Sequence, residues 1–81
     1  MADISATFKN TYGESRHYTI WDVGRDPNQP PTVFDGYLDT DQVTDAIALH
    51  GDGSSGRVMY KRSDGAATTT DVSDGDTVDM S

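Results

Sequence analysis

The sequence predicts an all-β fold, a small antiparallel β-sandwich of about six short strands, Ig-like or barrel-like in plan. Three observations carry that prediction. Turn signals built on Gly, Asp and Pro recur every ~8–12 residues, the spacing of a small sandwich. The segments between them alternate apolar and polar with period two and are rich in β-branched and aromatic residues. Finally, thirteen of the fourteen acidic residues are aspartate, Glu14 being the only glutamate. Asp is short enough to hydrogen-bond nearby backbone and favours turns, whereas Glu favours helices.

Taken in order, Ile4–Asn10 alternates cleanly and reads as a strand, closed by a polar turn at Gly13. Tyr18–Val23 follows as a second strand and ends at Gly24. Asp26–Pro31 holds all three prolines; proline cannot donate a ladder hydrogen bond, so this is a loop. Thr32–Leu38 resumes the strand signal, with Asp35-Gly36 as a bulge or tight turn within it. Asp39–His50 fits two templates. As a strand, Val43, Ile47 and Leu49 share a face. As a helix, Asp39 caps, Gln42 completes a capping box, and Val43, Ala46 and Ile47 form an i, i+3, i+4 stripe. The strongly β surroundings favour the strand; the alternative is an α+β fold with one helix at about 40–50. Arg57–Arg62 is a strand, Ser63-Asp64-Gly65 a hairpin-type turn, and Ala66–Val72 a Thr-rich strand suited to a sheet edge. Ser73–Asp76 turns again, and Thr77–Met80 is a short final strand. The whole of 1–81 is expected to form one domain.

Composition excludes more than it identifies. A chain of 81 residues buries only about 60% of its unfolded surface, so its core is thin. Without cysteine there is neither a disulfide nor a thiolate zinc site to supplement it. A net charge of −8 with six scattered Lys and Arg argues against nucleic acid and against an anionic membrane surface. No apolar run approaches the ~18 residues of a membrane helix, and the N-terminus lacks the regions of a signal peptide, so a soluble protein is expected, either cytoplasmic or one whose targeting segment has been removed. Catalysis is not expected either: no Walker loop, dinucleotide-binding glycine pattern or nucleophile elbow is present, and His17 and His50 read as surface residues. No cofactor and no metal site is expected.

Two surfaces remain. The acidic loop Asp71–Asp79 offers closely spaced carboxylates to calcium, but its glycine and closing acid do not match an EF-hand. The richer segment is Tyr18-Thr19-Ile20-Trp21-Asp22-Val23. In a strand Tyr18 and Ile20 face one way, Trp21 and Val23 the other, so either the strand is covered on both sides or one pair is displayed. Val33-Phe34 and Tyr37-Leu38 raise the same question. Trp21 can equally serve as the anchor of the thin core. The expected recognition surface comprises Tyr18, Trp21, Phe34 and Tyr37, rimmed by Asp22, Asp35 and Asp39. It implies a non-enzymatic module that binds a protein partner or self-associates. A calcium- or carbohydrate-binding domain is the alternative, since displayed rings stack on sugars and carboxylates hold their hydroxyls. Asp22, Asp35 and Asp45 interrupt strand patterns, where turn chemistry does not explain them.

Overall fold

A computed structural model describes residues 3–52 and 54–80. Seven strands form two sheets: β1 (Ile4–Asn10), β2 (Arg16–Asp22), β3 (Thr32–Leu38), β4 (Ile47–Leu49), β5 (Ser55–Arg62), β6 (Ala67–Ser73) and β7 (Thr77–Met80). Strand order is β4-β1-β7 in the smaller sheet and β3-β2-β5-β6 in the larger. The fold is thus the all-β sandwich that the turn spacing and alternation imply, and the Thr-rich β6 lies at a sheet edge as expected. Every pairing is antiparallel except that of β1 with β7, which is parallel. β7 is reached from β6 in the opposite sheet and not by a hairpin from β1, so no turn imposes an antiparallel partner.

Alternation builds the core directly. In β1, Ile4, Ala6, Phe8 and Asn10 point inward; in β2, Tyr18, Ile20 and Asp22 do so. Leu38, Leu49, Val58, Val72 and Met80 complete the filling from the other strands. Between Ile20 and Trp21 the β2–β3 register slips by one residue, pairing Ile20 with Phe34 but Trp21 with Thr32. A bulge re-aims side chains, and here Val33 and Phe34, neighbours in sequence, both pack against the core. At one end β4 and β5 approach so closely that a Cβ on Gly51 would lie 2.6 Å from the Ser55 carbonyl, and one on Gly56 2.6 Å from that of His50. Only glycine permits that contact.

The segment Asp39–His50 contains no helix; its strand is only β4. The local capping signal is nevertheless real. Gln42 Oε1 accepts from the Asp39 N–H (2.8 Å), the reciprocal half of a capping box. Asp41 then takes φ +64°, a left-handed conformation that ends any helix at its first turn. The chain is captured instead by the edge of β1. Asn10 N–H bonds Gln42 O, Thr44 N–H bonds Phe8 O, and the Phe8 N–H bonds Thr44 Oγ1. Unpaired β1 backbone competes for exactly the groups a helix would use internally, and it wins. Among the described residues no helix is long and apolar enough to cross a membrane.

One buried amide ties the two sheets. Asn10 is fully buried and uses all four of its hydrogen-bonding positions. Its Nδ2 donates to Glu14 O (2.8 Å) and Leu38 O (2.9 Å). Its Oδ1 accepts from the Tyr12 N–H (2.9 Å) and the Tyr18 hydroxyl (2.9 Å). Replacing Asn10 with Leu strands these partners, each unmet buried group costing about 1–3 kcal/mol. Urea unfolding of Asn10→Leu should therefore show a loss of at least about 3 kcal/mol. Burial raises the Tyr18 phenol above its ordinary value, with the Arg62 charge opposing. An acid whose folded pKa is raised contributes stability below its unfolded pKa and loses it as pH climbs. Stability should fall as pH rises through about 10, and Tyr18→Phe, less stable near neutrality, should show a weaker alkaline decline in pH-dependent melting.

Candidate functional site

The seven residues expected to form a recognition surface divide by strand face. Tyr18 and Asp22 are fully buried, which corrects their assignment to an exposed surface. They occupy the inward positions of β2 that alternation gives to Ile20 as well. Phe34 is also turned inward, its ring packed on the core. Asp39 sits beyond the end of β3 and accepts a hydrogen bond from Ser15 Oγ (3.1 Å). Trp21, Asp35 and Tyr37 share the outer face of the larger sheet, in three successive rows. Trp21 is partly exposed and lies outside the core cluster, so it is not the core anchor. Tyr37 is 74% exposed.

Register assembles the rest of this face. Trp21 pairs with Met59, and Met59 with Thr69, forming one row across three strands. The next row is Asp35–Thr19–Lys61–Ala67, and beyond it His17 pairs with Tyr37. The His17 and Tyr37 rings meet edge to face with centroids 5.3 Å apart, and His17 Nε2 lies 2.5 Å from Asp35 Oδ1. At the far end Arg57 Nε bonds Asp71 Oδ1 (2.9 Å). The face therefore carries two rows with aromatic side chains, Trp21–Met59 and His17–Tyr37, with the Asp35–Lys61 row between them and the Arg57–Asp71 pair at one end. His17, Met59 and Lys61 were not legible as members, because only cross-strand register joins them to Trp21. The outer face of the smaller sheet is different. Its rows are Ser5–Ala48, Thr7–Thr77 and Lys9–Asp79, small or polar apart from the exposed Val43 that pairs with Lys9.

Asp22 has another role. Its Oδ2 accepts from the His50 N–H (2.8 Å) and from Arg25 Nε (3.3 Å), tying β2 to the chain just after β4. Its Oδ1 is buried and meets no donor among the described residues. Above this region opens a shallow cleft of about 530 Å³ lined by His50, Asp52, Arg57 and Asp71 among others. Its carboxylates are already engaged: Asp71 by Arg57, and Asp52 by the Ser54 and Ser55 N–H groups. Those two backbone bonds, Ser55 first, hold the Asp52 carboxyl below its usual range. The loop considered for calcium is spent likewise. Asp74 Oδ1 takes the Ser5 N–H (2.9 Å) and Asp76 Oδ2 the Ser73 N–H (2.9 Å), around Gly75 at φ +84°. Among the described residues no three His, Asp or Glu side chains are grouped to hold a metal ion.

Asp45, the third acid within a strand pattern, is exposed between the β1-bound segment and β4. At the other end of the molecule Asp64 links Arg62 and Arg16. The Arg62 hydrogen bond is the main reason its carboxyl titrates low. Both guanidinium groups face the Tyr12 ring, Arg62 at 3.8 Å and Arg16 at 5.2 Å. This cluster pins the β1–β2 loop to the β5–β6 turn and is structural.

A partly exposed indole on the outer face predicts that Trp21 fluorescence is quenched by acrylamide in the folded protein, far more than a core indole would be. An unquenchable Trp21 would remove it from the face. No protein-family model matches the chain, and neither a curated protein nor a solved structure matches it.

Proposed function

We propose that the protein is a non-enzymatic interaction module that binds a protein partner through the outer face of its larger sheet. The observation that carries this reading is the asymmetry of the two outer faces. One displays Trp21, Met59, Tyr37 and His17; the other, built by the same alternation, displays Ser, Thr, Ala, Lys and Asp with Val43, and no aromatic ring among the described residues. A thin-cored chain has few large apolar residues to spare, and placing its only Trp outside the core costs stability that burial would have returned. Aromatic and Met side chains are enriched at protein interfaces, with a polar rim around them. Arg57 and Asp71 stand at one end of the face, and Asp35 and Lys61 lie between its two aromatic rows.

The non-enzymatic part rests on the site's form. The His17–Asp35 pair stands on an open sheet face with its groups a third or more exposed, where no wall excludes water or tunes a proton transfer. A carbohydrate is the second reading, favoured by the Tyr37 ring flanked by the His17–Asp35 pair.

A photo-crosslinking amino acid at Tyr37, compared with one at Thr7 on the opposite face, tests the proposal in cells of the source organism. Capture of a protein from position 37 but not from position 7 is the expected result. Equal capture at both positions would overturn it. Chemical-shift changes at Trp21 and His17 with simple sugars, and no protein capture, would favour the second reading.

A further inference from the structure

Every sheet edge exposes unpaired backbone groups, and proteins blunt such edges with shortness, proline, bulges or charge. Three of the four edges here carry such a device. β4 has three residues and β7 four. β3 follows Pro30-Pro31 and contains both a register slip and Asp35-Gly36. β6 carries none of them. It has seven residues, pairs with β5 over its whole length without a slip, and its stretch Ala67–Thr70 bears no charge. Its one acid, Asp71, is already paired with Arg57.

The hydrogen-bond pattern says which groups face outward. The Asp74 N–H bonds Ser54 O, one step beyond the Ser55–Ser73 pair of the ladder, while the Ser73 N–H turns away to Asp76. In an antiparallel ladder bonded and non-bonded pairs alternate. Even-numbered residues of β6 therefore bond β5, and Ala67, Thr69 and Asp71 direct their N–H and C=O groups to the open edge. Of these six groups, one has a local partner among the described residues: the Asp71 carbonyl, which accepts a long bond from Thr70 Oγ1 (3.4 Å).

We propose that this edge pairs antiparallel with β6 of a second copy, about a two-fold axis at Thr69, joining two four-stranded sheets into one of eight. The register follows by elimination. The two copies exchange bonds only where outward-facing residues meet, so the axis passes either such a residue or the residue between two of them. At Asp71 it would set two carboxylates directly opposite each other, and at Thr70 or Val72 diagonally, about 7–8 Å apart. At Ala67 or Thr68 it would run part or most of the pairing into the Ser63–Ala66 turn. At Thr69 it aligns the strand with itself: Thr68 faces Thr70 of the second copy, and Ala67 faces Asp71. Threonine pairs stabilise a cross-strand contact, and no like charges meet. The Trp21–Met59–Thr69 row then runs unbroken across both molecules. The inference concerns the edge alone and holds whatever the outer face binds.

Sedimentation velocity over a concentration series tests it, on the parent chain and on Thr69→Asp. The Thr69 side chain is exposed and points outward, so the variant should keep its fold, which circular dichroism verifies. The parent should associate to a dimer, and more strongly as salt rises, because salt screens the repulsion between two chains of net charge −8. Thr69→Asp should weaken dimerisation by about tenfold or more, since it opposes two carboxylates across the axis. Mixing Thr69→Asp with Thr69→Lys should restore pairing as a heterodimer. A parent that stays monomeric at all concentrations and salts, or a Thr69→Asp chain that dimerises as well as the parent, overturns the proposal. Failure of the Asp–Lys mixture to pair overturns the Thr69 register. Crosslinking at Tyr37 in the monomeric variant keeps this outcome separate from that of the outer face.

Discussion

The buried amide of Asn10 is the constraint on which the rest of the sandwich depends. It stands at the end of β1 in the smaller sheet, yet its partners Leu38 and Tyr18 belong to the larger one. An amide has two donors and two acceptor positions, and here each has a partner with fixed geometry. A hydrophobic residue would fill the same volume but accept many arrangements of the two sheets. The amide accepts one. The loop after β1 is bound through the Tyr12 N–H and Glu14 O, and the backbone of Asn10 holds the Asp41–Gln42 turn. One residue thus sets the sheet separation, a loop path and the entry to the β3–β4 connection.

Asp22 performs the complementary task at the other end of β2, where it holds the His50 backbone and Arg25. The two buried polar residues work differently. Asn10 is fully satisfied, whereas Asp22 concentrates its bonds on one oxygen. The larger aspartate set divides in the same spirit. Asp26 and Asp52 cap their own turns, Asp74 reaches across the chain to Ser5, and Asp64 gathers two arginines. Aspartate here is mostly a backbone ligand, and the acidity of the protein is partly a by-product of its architecture.

What the sequence revealed follows from what is local. Alternation, turn residues and the Thr-rich composition of β6 are encoded within a few positions, so the fold class and an edge strand were legible. The display of Trp21 was legible only as one of two options, because the pattern of β2 is apolar on both faces and only tertiary packing says which face is covered. Tyr18 and Asp22 were misplaced for the same reason: both look like surface residues by type, and both are inward by phase. Phe34 depended on a one-residue slip that no periodicity announces. The Asp39–Gln42 capping contact forms as its spacing implies, yet the helix does not, since the free edge of β1 supplies a better partner for the following backbone.

The parallel pairing of β1 with β7 gives the fold a mechanical character. The two strands lie side by side from Thr7–Thr77 to Asn10–Met80 and point the same way. Tension applied between the start of β1 and the end of β7 therefore runs along the ladder, not across it. All of its hydrogen bonds share the load together, and none can be peeled away first, as they would be in an antiparallel hairpin pulled at its open end. The contact that holds the two ends of this small chain together is oriented to resist shear.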